Sequence, residues 1–355
     1  MSCTGFWRRL ASGEERGAAA RLLGAVLAIP AVPYGLVVRL RALAYARGLF
    51  TVKHLDRPVI SVGNLTVGGT GKTPMVAYLA HRLMARGRRV AVISRGYGGS
   101  LEGETRIVSD GRTLFLTAAE AGDEPVHLAM SVPGLMAVIG TDRHAAGIMA
   151  QERLNPDVFI LDDGYQHLRL HRDLNILLMD CNRPLGNGLV LPAGLLREPQ
   201  TAVRRADLVV YTRCSGDKAP AVHAMIPSCR AGHTLTGAAL LPDGEVQPFA
   251  ALRGLRGVAF AGIAEPDVFF AALRREGLDI VATIPFADHC PYGKPEIALL
   301  REAADDSGAD YLITTGKDGV KLSPYLAHLR PVHATVLEMS LFDSAPLETS
   351  LDKVL

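Results

Sequence analysis

The chain has 355 residues, 48% of them hydrophobic, which is enough for a large buried core and favours two domains. Its net charge is only +2, so it lacks the overall basic field of nucleic-acid-binding proteins, and we predict no nucleic-acid partner. The five cysteines are scattered and form no Cys-x-x-Cys pair, which argues against a disulfide framework or a structural zinc site and favours the reducing cytoplasm.

The N-terminal region combines positive charge with an uncharged apolar segment. Residues 1–50 contain seven Arg and two Glu, and the 17 residues of Leu22–Val38 carry no charge. This segment has three possible interpretations: a transmembrane span, a buried core helix, or a helix lying in the membrane interface. The segment is short for a span and contains Pro30 and Pro33, so we favour an interfacial helix and peripheral attachment. The arginines that could meet anionic headgroups are Arg8, Arg9, Arg16, Arg21, Arg39, Arg41 and Arg47.

A glycine-rich loop follows the apolar strand at residues 58–62 and precedes a helix-like stretch at 75–83. The loop residues are Thr66, Val67, Gly68, Gly69, Thr70, Gly71, Lys72 and Thr73. A strand, such a loop and a helix cradle nucleotide phosphates, with the lysine on the β- and γ-phosphates and the threonine hydroxyl on Mg²⁺. Thr66 stands where the usual first glycine would be. We predict an ATP site, with an ordinary glycine-rich loop as the alternative.

Apolar runs alternate with helical patterns from residue 58 onward, which predicts an α/β fold with a mostly parallel sheet. Predicted strands lie at 59–62, 90–94, 135–139, 158–161, 175–179 and 208–211, with helices at 74–86 and 143–154. A hairpin with a Pro-Asp-Gly turn is predicted at 234–246. A second α/β unit has strands at 257–261, 279–284 and 311–314 and helices at 266–276 and 295–307.

The domain boundaries follow from these patterns. We predict a membrane-associating helical segment at 1–50, a P-loop kinase domain at 51–231, a hairpin linker at 232–256 and a smaller α/β lobe at 257–355. Two lobes joined by a hairpin would form a cleft in which ligands could bind.

Two adjacent carboxylates, Asp162 and Asp163, end the apolar strand at 158–161. Carboxylates at a strand end about 90 residues after the Gly-Lys-Thr triplet are typical of magnesium sites in P-loop enzymes. Two like charges side by side also repel, and a cation would relieve that cost. A solvated turn is the simpler alternative, and we favour the metal.

Two further polar motifs could have structural and not catalytic roles. Asp123, in the Gly-Asp-Glu-Pro motif, could be a helix N-cap with Glu124 in the first turn. His289 follows Asp288 after a predicted strand, and a lone Asp-His pair is more often a surface feature than a catalytic one. Sequence spacing alone does not bring Asp123 and His289 together.

Three arginines lie at predicted strand ends, where open α/β sheets bind phosphates. Arg95 follows one strand, Arg143 comes next to Asp142 after another, and Arg197 lies in an Ala-Gly-Leu-Leu-Arg-Glu-Pro run. A single arginine is a weak signal, whereas three on one rim indicate a polyanionic ligand.

Five motifs in this order resemble the tetraacyldisaccharide 4′-kinase family, the lipid A 4′-kinases of Gram-negative bacteria. They are Gly-Asn-Leu-Thr-Val-Gly-Gly-Thr-Gly-Lys-Thr-Pro, Ser-Arg-Gly-Tyr-Gly, Gly-Asp-Glu-Pro, Leu-Asp-Asp-Gly-Tyr-Gln-His and Asp-His-x-x-Tyr. The resemblance implies a two-lobed protein at the cytoplasmic face of the inner membrane. It also implies transfer of the ATP γ-phosphoryl group to the 4′-hydroxyl of a tetraacylated glucosamine disaccharide 1-phosphate.

The resemblance also implies residue roles. Lys72 and Thr73 would bind phosphates and Mg²⁺, and Asp162 and Asp163 would support the metal. Asp123 would be the catalytic base, with His289 assisting it. Substrate-binding candidates are Arg95, Asp142, Arg143, Gln166 and Arg197. In one departure, Gly316 replaces the glutamate of the family's Thr-Thr-Glu-Lys-Asp motif, so no role of that glutamate can be transferred.

Two other functions compete with this interpretation. A P-loop nucleotide switch or metallochaperone would usually carry an Asn-Lys-x-Asp tetrapeptide, which the chain does not contain. A soluble kinase for a small metabolite would use residues 17–47 as core. The sequence predicts no particular oligomeric state.

Overall fold

The computed structural model describes residues 3–15, 17–214, 225–242 and 244–355, without the side chains of residues 3–6 and 8. Arg16, the side chain of Arg8 and Asp243 of the predicted turn therefore lie outside the described residues. The strands are β1 (Val59–Asn64), β2 (Val90–Ser94), β3 (Arg106–Asp110), β4 (Met136–Ile139), β5 (Val158–Asp162), β6 (Leu174–Asp180), β7 (Leu208–Thr212), β8 (Ser228–Leu240), β9 (Val246–Gln247), β10 (Arg256–Ala261), β11 (Asp279–Pro285), β12 (Tyr311–Thr315) and β13 (Val332–Leu341). The α-helices are α1 (Cys3–Ser12), α2 (Ala18–Ala46), α3 (Lys72–Ala85), α4 (Ala118–Ala121), α5 (Asp123–Ser131), α6 (Arg143–Leu154), α7 (Pro266–Arg275), α8 (Lys294–Ser307), α9 (Gly316–Gly319) and α10 (Ala345–Asp352).

The chain divides into two compact units. Unit 1 contains residues 1–91, 147–232 and 340–355, and unit 2 contains residues 92–146 and 233–339. The domain boundaries given above stay a prediction.

Unit 1 contains parallel strands in the order β8-β7-β6-β1-β5, with only the first residues of β8, up to residue 232, in this unit. Every residue of β1, β5 and β7 is buried, which matches their unbroken apolar sequences and the coverage of both faces expected for parallel strands. Because the strands run in the same direction, their carboxyl ends meet at one edge of the sheet, where loops between strands and helices commonly bind ligands.

Unit 2 contains a parallel set in the order β11-β10-β12-β13 and an antiparallel pair, β3 with β4. Strand β8 also pairs with β9 in antiparallel fashion, Ala238 opposite Gln247, which confirms the predicted hairpin pairing. The mostly parallel α/β fold is confirmed as well.

The N-terminal apolar segment lies within one continuous helix, α2, which contains both Pro30 and Pro33. The two prolines are three residues apart and therefore lie on the same side of the helix. By length and composition, α2 is long and apolar enough to cross a membrane. Its large apolar side chains are exposed at Leu22, Leu23, Val26, Ile29, Val32, Leu36, Val37, Leu40 and Leu43.

One pair of cysteines is joined, which the argument against a disulfide framework did not anticipate. Cys181, just after β6, forms a disulfide with Cys214, just after β7. Their Cα atoms are 5.2 Å apart, because β6 and β7 are neighbouring parallel strands that end side by side. Cys229 and Cys290 are buried free thiols.

Candidate active site

The glycine-rich loop in unit 1 connects the carboxyl end of β1 to the first residue of α3, which is Lys72. Gly68 and Gly71 have φ angles of 118° and 80°, a backbone conformation that favours glycine because it has no Cβ. Gly71 is the N-cap of α3, so the loop ends at the positive end of a 14-residue helix. An anion placed there would be stabilised by the helix dipole and by backbone N–H groups.

Neighbouring segments fix the backbone of this loop. Thr66 forms an antiparallel bridge with Leu196, and the Val67 N–H donates to the Leu195 carbonyl over 2.8 Å. The Thr212 hydroxyl, at the end of β7, donates to the Thr70 carbonyl over 2.9 Å. Because Thr66 sits in an extended bridge and not in a left-handed turn, its position needs no glycine.

Lys72 is held along the loop by two polar side chains. Its Nζ lies 3.4 Å from Asn64 Oδ1 and 3.7 Å from Asp163 Oδ1. Asn64 in turn donates from Nδ2 to the Thr66 carbonyl over 2.7 Å. The ammonium group is therefore positioned between the end of β1 and the acidic loop after β5.

The two predicted metal carboxylates are at the end of β5, which pairs with β1 so that Asp162 lies opposite Val62. Asp162 is 2% exposed. Asp163 has a left-handed φ of 53°, and its Oδ2 accepts a hydrogen bond from Arg197 over 2.8 Å. This geometry brings Lys72 and Arg197 to the two oxygens of the Asp163 carboxylate.

The donor atoms of this site suit Mg²⁺, which prefers carboxylate and hydroxyl oxygens. Asp162, Asp163 and Thr73 supply such oxygens at the strand end and at the start of α3. Within the described parts of the chain, no group of three or more His, Cys, Asp and Glu side chains is arranged as a metal site. A magnesium ion here would therefore complete its coordination with nucleotide phosphates and water.

Helix α2 contacts the same region of unit 1. The Tyr34 hydroxyl donates to the Arg197 carbonyl over 2.8 Å, and Arg41 donates to the Gln166 carbonyl over 3.3 Å. Gln166 also donates from Nε2 to the Asn64 carbonyl over 2.9 Å. Gln166, predicted as a substrate contact, thus lies between α2 and the end of β1.

The Asp123–His289 pair lies in unit 2, so the structure brings together two residues that sequence spacing could not connect. Asp123 Oδ2 is 3.1 Å from His289 Nδ1. Asp123 is 5% exposed and is the first residue of α5, whose N-cap is Gly122. The expectation that Asp123 caps this helix is therefore wrong, because no side chain caps α5 and the carboxylate binds His289 instead.

Two lysines lie near one oxygen of the Asp123 carboxylate. Lys321 Nζ is 3.6 Å and Lys317 Nζ is 4.0 Å from Oδ2, the same oxygen that contacts His289. Burial alone would raise the pKa of Asp123, but the hydrogen bond to His289 and the charges of Lys317 and Lys321 outweigh it and lower that pKa. Asp123 is accordingly ionised at neutral pH, as a general base must be.

His289 is held from both sides of its ring. Its pKa is raised mainly by the hydrogen bond to Asp123, against the opposing effect of burial. Its Nε2 lies 3.3 Å from Lys317 Nζ, and the ring of Tyr97 meets it edge-on with centroids 5.6 Å apart. His289 has a left-handed φ of 60°, and such strained residues concentrate at functional sites.

The second oxygen of Asp123 differs from the first. Oδ1 is buried and has no hydrogen-bond partner among the described residues. A carboxylate with one oxygen fixed by a histidine and the other available to accept a proton has the arrangement of a general base.

Gly316, the departure from the family motif, lies against His127 of α5. A Cβ at Gly316 would come 2.5 Å from His127 Cε1. Burial lowers the pKa of His127 to about 4, so this imidazole is neutral at neutral pH. The ring of His127 therefore leaves little space for a side chain at residue 316.

The other predicted anion-binding residues have local partners. In unit 2, Arg95 pairs with Glu102 over 3.1 Å, and Arg143, 5% exposed, donates to the Gly140 carbonyl. Asp142 accepts hydrogen bonds from two N–H groups at the start of α6. Arg197 belongs to unit 1, so a shared rim of three arginines stays a prediction.

A parallel α/β sheet whose first strand leads through a glycine-rich loop to Gly-Lys-Thr at a helix N-terminus defines a P-loop nucleotide-binding protein. The model of one family, described as tetraacyldisaccharide-1-P 4′-kinase (LpxK), matches residues 23–355. The chain belongs to this family.

Individual relatives agree with the family match. The chain is 85% identical over 355 residues to the tetraacyldisaccharide 4′-kinase of Geobacter sulfurreducens, covering 100% of both chains. It is 51% identical to the kinase of that name from Pelobacter propionicus, covering 99% of this chain and 98% of that one. A similar solved structure is the crystal structure of the "apo" form of LpxK from Aquifex aeolicus in complex with ATP. It is 33% identical in sequence, has a TM-score of 0.79, and the match covers 94% of this chain and 99% of that one.

Sequence reasoning missed several residues around these sites. In unit 1 they are Tyr34, Arg41, Asn64, Thr212 and Arg213, whose guanidinium lies 3.5 Å from Asp180. In unit 2 they are His127, Lys317, Asp318 and Lys321. The Lys317-Asp318 dipeptide was visible in the sequence, but nothing in its spacing indicated that it lies beside Asp123.

Proposed function

We propose that this chain transfers the γ-phosphoryl group of ATP to the 4′-hydroxyl of a tetraacylated glucosamine disaccharide 1-phosphate. The family and the named relatives support this reaction, and they do not favour a nucleotide switch, a metallochaperone or a small-metabolite kinase. The observation that carries the acceptor chemistry is the buried Asp123 carboxylate, whose Oδ2 contacts His289 Nδ1 over 3.1 Å.

The residues of unit 1 would bind and orient the nucleotide. Lys72 would interact with the β- and γ-phosphates, and the amides at the start of α3 would favour negative charge there. Thr73, Asp162 and Asp163 would hold Mg²⁺, which neutralises charge on the phosphates when bound. Arg197, 2.8 Å from Asp163, would keep that carboxylate in place.

The residues of unit 2 would activate the sugar alcohol. An alcohol is a weak acid, so the base must act as the new P–O bond forms, when the hydroxyl proton becomes more acidic. Asp123 Oδ1 would accept that proton while His289 holds Oδ2. The cations around Asp123 keep it ionised before the reaction. Positioning and charge neutralisation supply most of the rate, since the transition state is loose.

The enzyme is membrane-associated, as its family implies, and we place it at the cytoplasmic face of the inner membrane, where ATP is available. A lipid with four acyl chains stays in the bilayer, because each buried CH₂ contributes about 0.8 kcal/mol. The exposed apolar side chains of α2, such as Ile29 at 73% and Val32 at 72%, would enter the interface. Nearby arginines would contribute about 1 kcal/mol each at an anionic surface.

The test is a kinase assay with γ-labelled ATP, Mg²⁺ and the disaccharide lipid in mixed micelles, beside a panel of water-soluble sugars. Wild-type protein should label only the lipid. Lys72→Ala and Asp123→Ala should each lower kcat by at least about 100-fold, as expected for loss of a transition-state cation or a general base. Arg153→Ala, on α6, serves as the control and should leave kcat unchanged.

The outcomes separate the candidate functions. Slow ATP hydrolysis without labelled lipid would favour a nucleotide switch, and labelling of a free sugar would favour a metabolite kinase. Near-normal kcat in Asp123→Ala would refute the assignment of Asp123 as base without affecting the nucleotide site.

A further inference from the structure

A second ion pair lies next to the Asp123–His289 pair in unit 2, and the proposed reaction assigns it no role. Lys321 Nζ is 2.9 Å from Asp318 Oδ1. Asp318 has no exposed surface, and the Lys321 side chain is 9% exposed. Taking two charges out of water costs several kcal/mol per ion, so a buried pair needs good geometry on both sides to be tolerated.

Asp318 is fixed by contacts to both of its oxygens. Its Oδ2 accepts hydrogen bonds from the Gly262 N–H over 3.0 Å and from the Thr315 hydroxyl over 2.8 Å. Thr315 is also the N-cap of α9 and accepts the Asp318 N–H. The carboxylate therefore cannot rotate without breaking two hydrogen bonds, and its Oδ1 meets Lys321 Nζ in an ion pair that lacks hydrogen-bond geometry.

Lys321 has a second anchor, the ring of Tyr292. Its Nζ lies 4.9 Å from the ring centroid, within the range of a cation–π interaction. Tyr292 is 1% exposed and packs edge-on against Phe260 and Phe286, so the ring itself is fixed. An ammonium group held by a carboxylate on one side and an aromatic face on another has little freedom to move.

From this position Lys321 Nζ lies 3.6 Å from Asp123 Oδ2. This is the oxygen that also contacts His289. Lys321 and His289 therefore lie on the same side of the carboxylate and leave Oδ1 for the substrate. Lys317 differs, because its Nζ is 3.1 Å from Glu124 but 4.0 Å from Asp123. Its charge is chiefly matched by Glu124.

We propose that Lys321 is a positioning residue for phosphoryl transfer. Held by Asp318 and Tyr292, its ammonium group keeps the Asp123 carboxylate ionised and turned toward His289. The proposal rests on the role of Asp123 as the base of the proposed reaction, and Lys321 itself does not touch the reactants.

The charged and titratable groups of unit 2 that face this carboxylate come from three segments. They are Glu124 and His127 from α5, Asp288 and His289 from the loop after β11, and Lys317, Asp318 and Lys321 from α9 and the residues after it. Burial favours the protonated acid, and the cations favour the carboxylate. Removing Lys321 takes away one of the cations that offset burial, so the pKa of Asp123 should rise.

Removing Lys321 should change the pKa of His289 in the same direction as that of Asp123. Loss of a neighbouring cation makes the imidazolium easier to form, so its pKa should rise too. Asp123 and His289 titrate as a coupled pair, and the acid limb of the rate profile reports the pair. Whichever group carries that limb, it should move to higher pH when Lys321 is removed.

The experiment compares Lys321→Met, a substitution of similar length, with the wild type in the lipid kinase assay across pH. The acid limb of kcat should move up by about one pH unit, the lower end of the effect of a nearby opposite charge. At neutral pH, kcat should fall by about tenfold because the base loses its fixed orientation, while the KM for ATP stays unchanged. Lys321→Arg keeps the positive charge, so its acid limb should move less than that of Lys321→Met. Lys294→Met, at the exposed start of α8, is the matched control and should behave as wild type.

A second variant covers the case in which Lys321→Met does not fold, since that change leaves Asp318 buried without its partner. Lys321→Met/Asp318→Asn removes both charges and keeps the volume of each side chain. It should fold and still shift the limb upward, because the lost cation is the group 3.6 Å from Asp123. Titration of the His289 ring by NMR gives a readout without turnover, and its pKa should also rise.

The results distinguish this inference from the proposed function. A folded variant with an unchanged acid limb and an unchanged His289 titration would overturn the role of Lys321. A wild-type protein that makes no phosphorylated lipid would instead refute the proposed reaction, and the His289 titration would still decide whether Lys321 acts on the pair.

Discussion

Among single residues, Gly316 and His127 make a close contact between two elements of unit 2. A Cβ at Gly316, the first residue of α9, would come 2.5 Å from Cε1 of the His127 ring in α5. The His127 ring therefore limits the size of the side chain that residue 316 can carry.

The contact predicts a coupled pair of substitutions. Gly316→Ala should lower the free energy of unfolding by about 1–3 kcal/mol, because the added methyl group forces the ring of His127 to move. In a His127→Ala background the same change should cost little, since the space is empty. Thermal or denaturant unfolding of all four proteins would measure the coupling, and equal costs in both backgrounds would show that the ring does not limit residue 316.

Some site residues could be predicted from the sequence because they lie in motifs that carry their own physics. Lys72 follows glycines at a helix start, and Asp162 ends an apolar strand, so both positions follow from local pattern. Lys321 could not be predicted, because its importance depends on Asp318, Tyr292 and Asp123 meeting in three dimensions. The pairing of Asp123 with His289 could be expected only through family resemblance.

At the scale of elements, buried parallel strands were the easiest to predict. The predicted boundaries of β2 and α6 coincide with those of the structure, because an unbroken apolar run is typical of a buried strand and a 3.6-residue period is typical of a helix. Strands β3 and β13 were missed, since they are half-exposed and mix polar with apolar residues. Half-exposed strands carry weaker sequence signals than strands covered on both faces.

Helix α2 has two kinds of side chain, and the difference predicts how it works. Tyr34 and Arg41 contact the loops of unit 1, whereas Ile29 and Val32 are exposed. Ile29→Asn/Val32→Asn should shift the protein from the membrane pellet to the soluble fraction after a salt wash, because apolar area no longer enters the interface. ATP binding should be unchanged, since neither residue contacts the phosphate loop.

The matched control for this change is Val268→Asn on α7, which replaces a similarly exposed valine in unit 2. It should leave sedimentation unchanged. If the α2 variant still pellets fully after the wash, then the apolar face of α2 is not what holds the protein to the membrane.

At the scale of the whole molecule, residues 340–355 complete unit 1. Helix α10 places Leu347 and Leu351 in the core with no exposed area. On its surface, Glu348 and Asp352 form ion pairs with Arg82 of α3 and with Arg86 directly after it. Helix α3 is the helix that begins at the phosphate loop. The ion pairs join the end of the chain to this early helix.

The two kinds of contact should differ in what they contribute. Leu351→Ala should lower the free energy of unfolding by about 2–5 kcal/mol, the usual cost of a cavity in a core. Glu348→Gln should cost less than about 1 kcal/mol, because solvent screens exposed ion pairs. Denaturant unfolding would measure both, and a larger loss in Glu348→Gln would mean that the ion pairs, and not the core, hold α10.

The chain passes between the two units four times. During translation the phosphate loop leaves the ribosome early, yet the strands beside it and the helix that closes its unit arrive much later. A nascent chain that already contains Lys72 and Asp162 therefore still lacks a finished nucleotide site. Capture of ATP should be one of the last abilities that the growing polypeptide acquires, even though its lysine is among the first quarter of residues to be made.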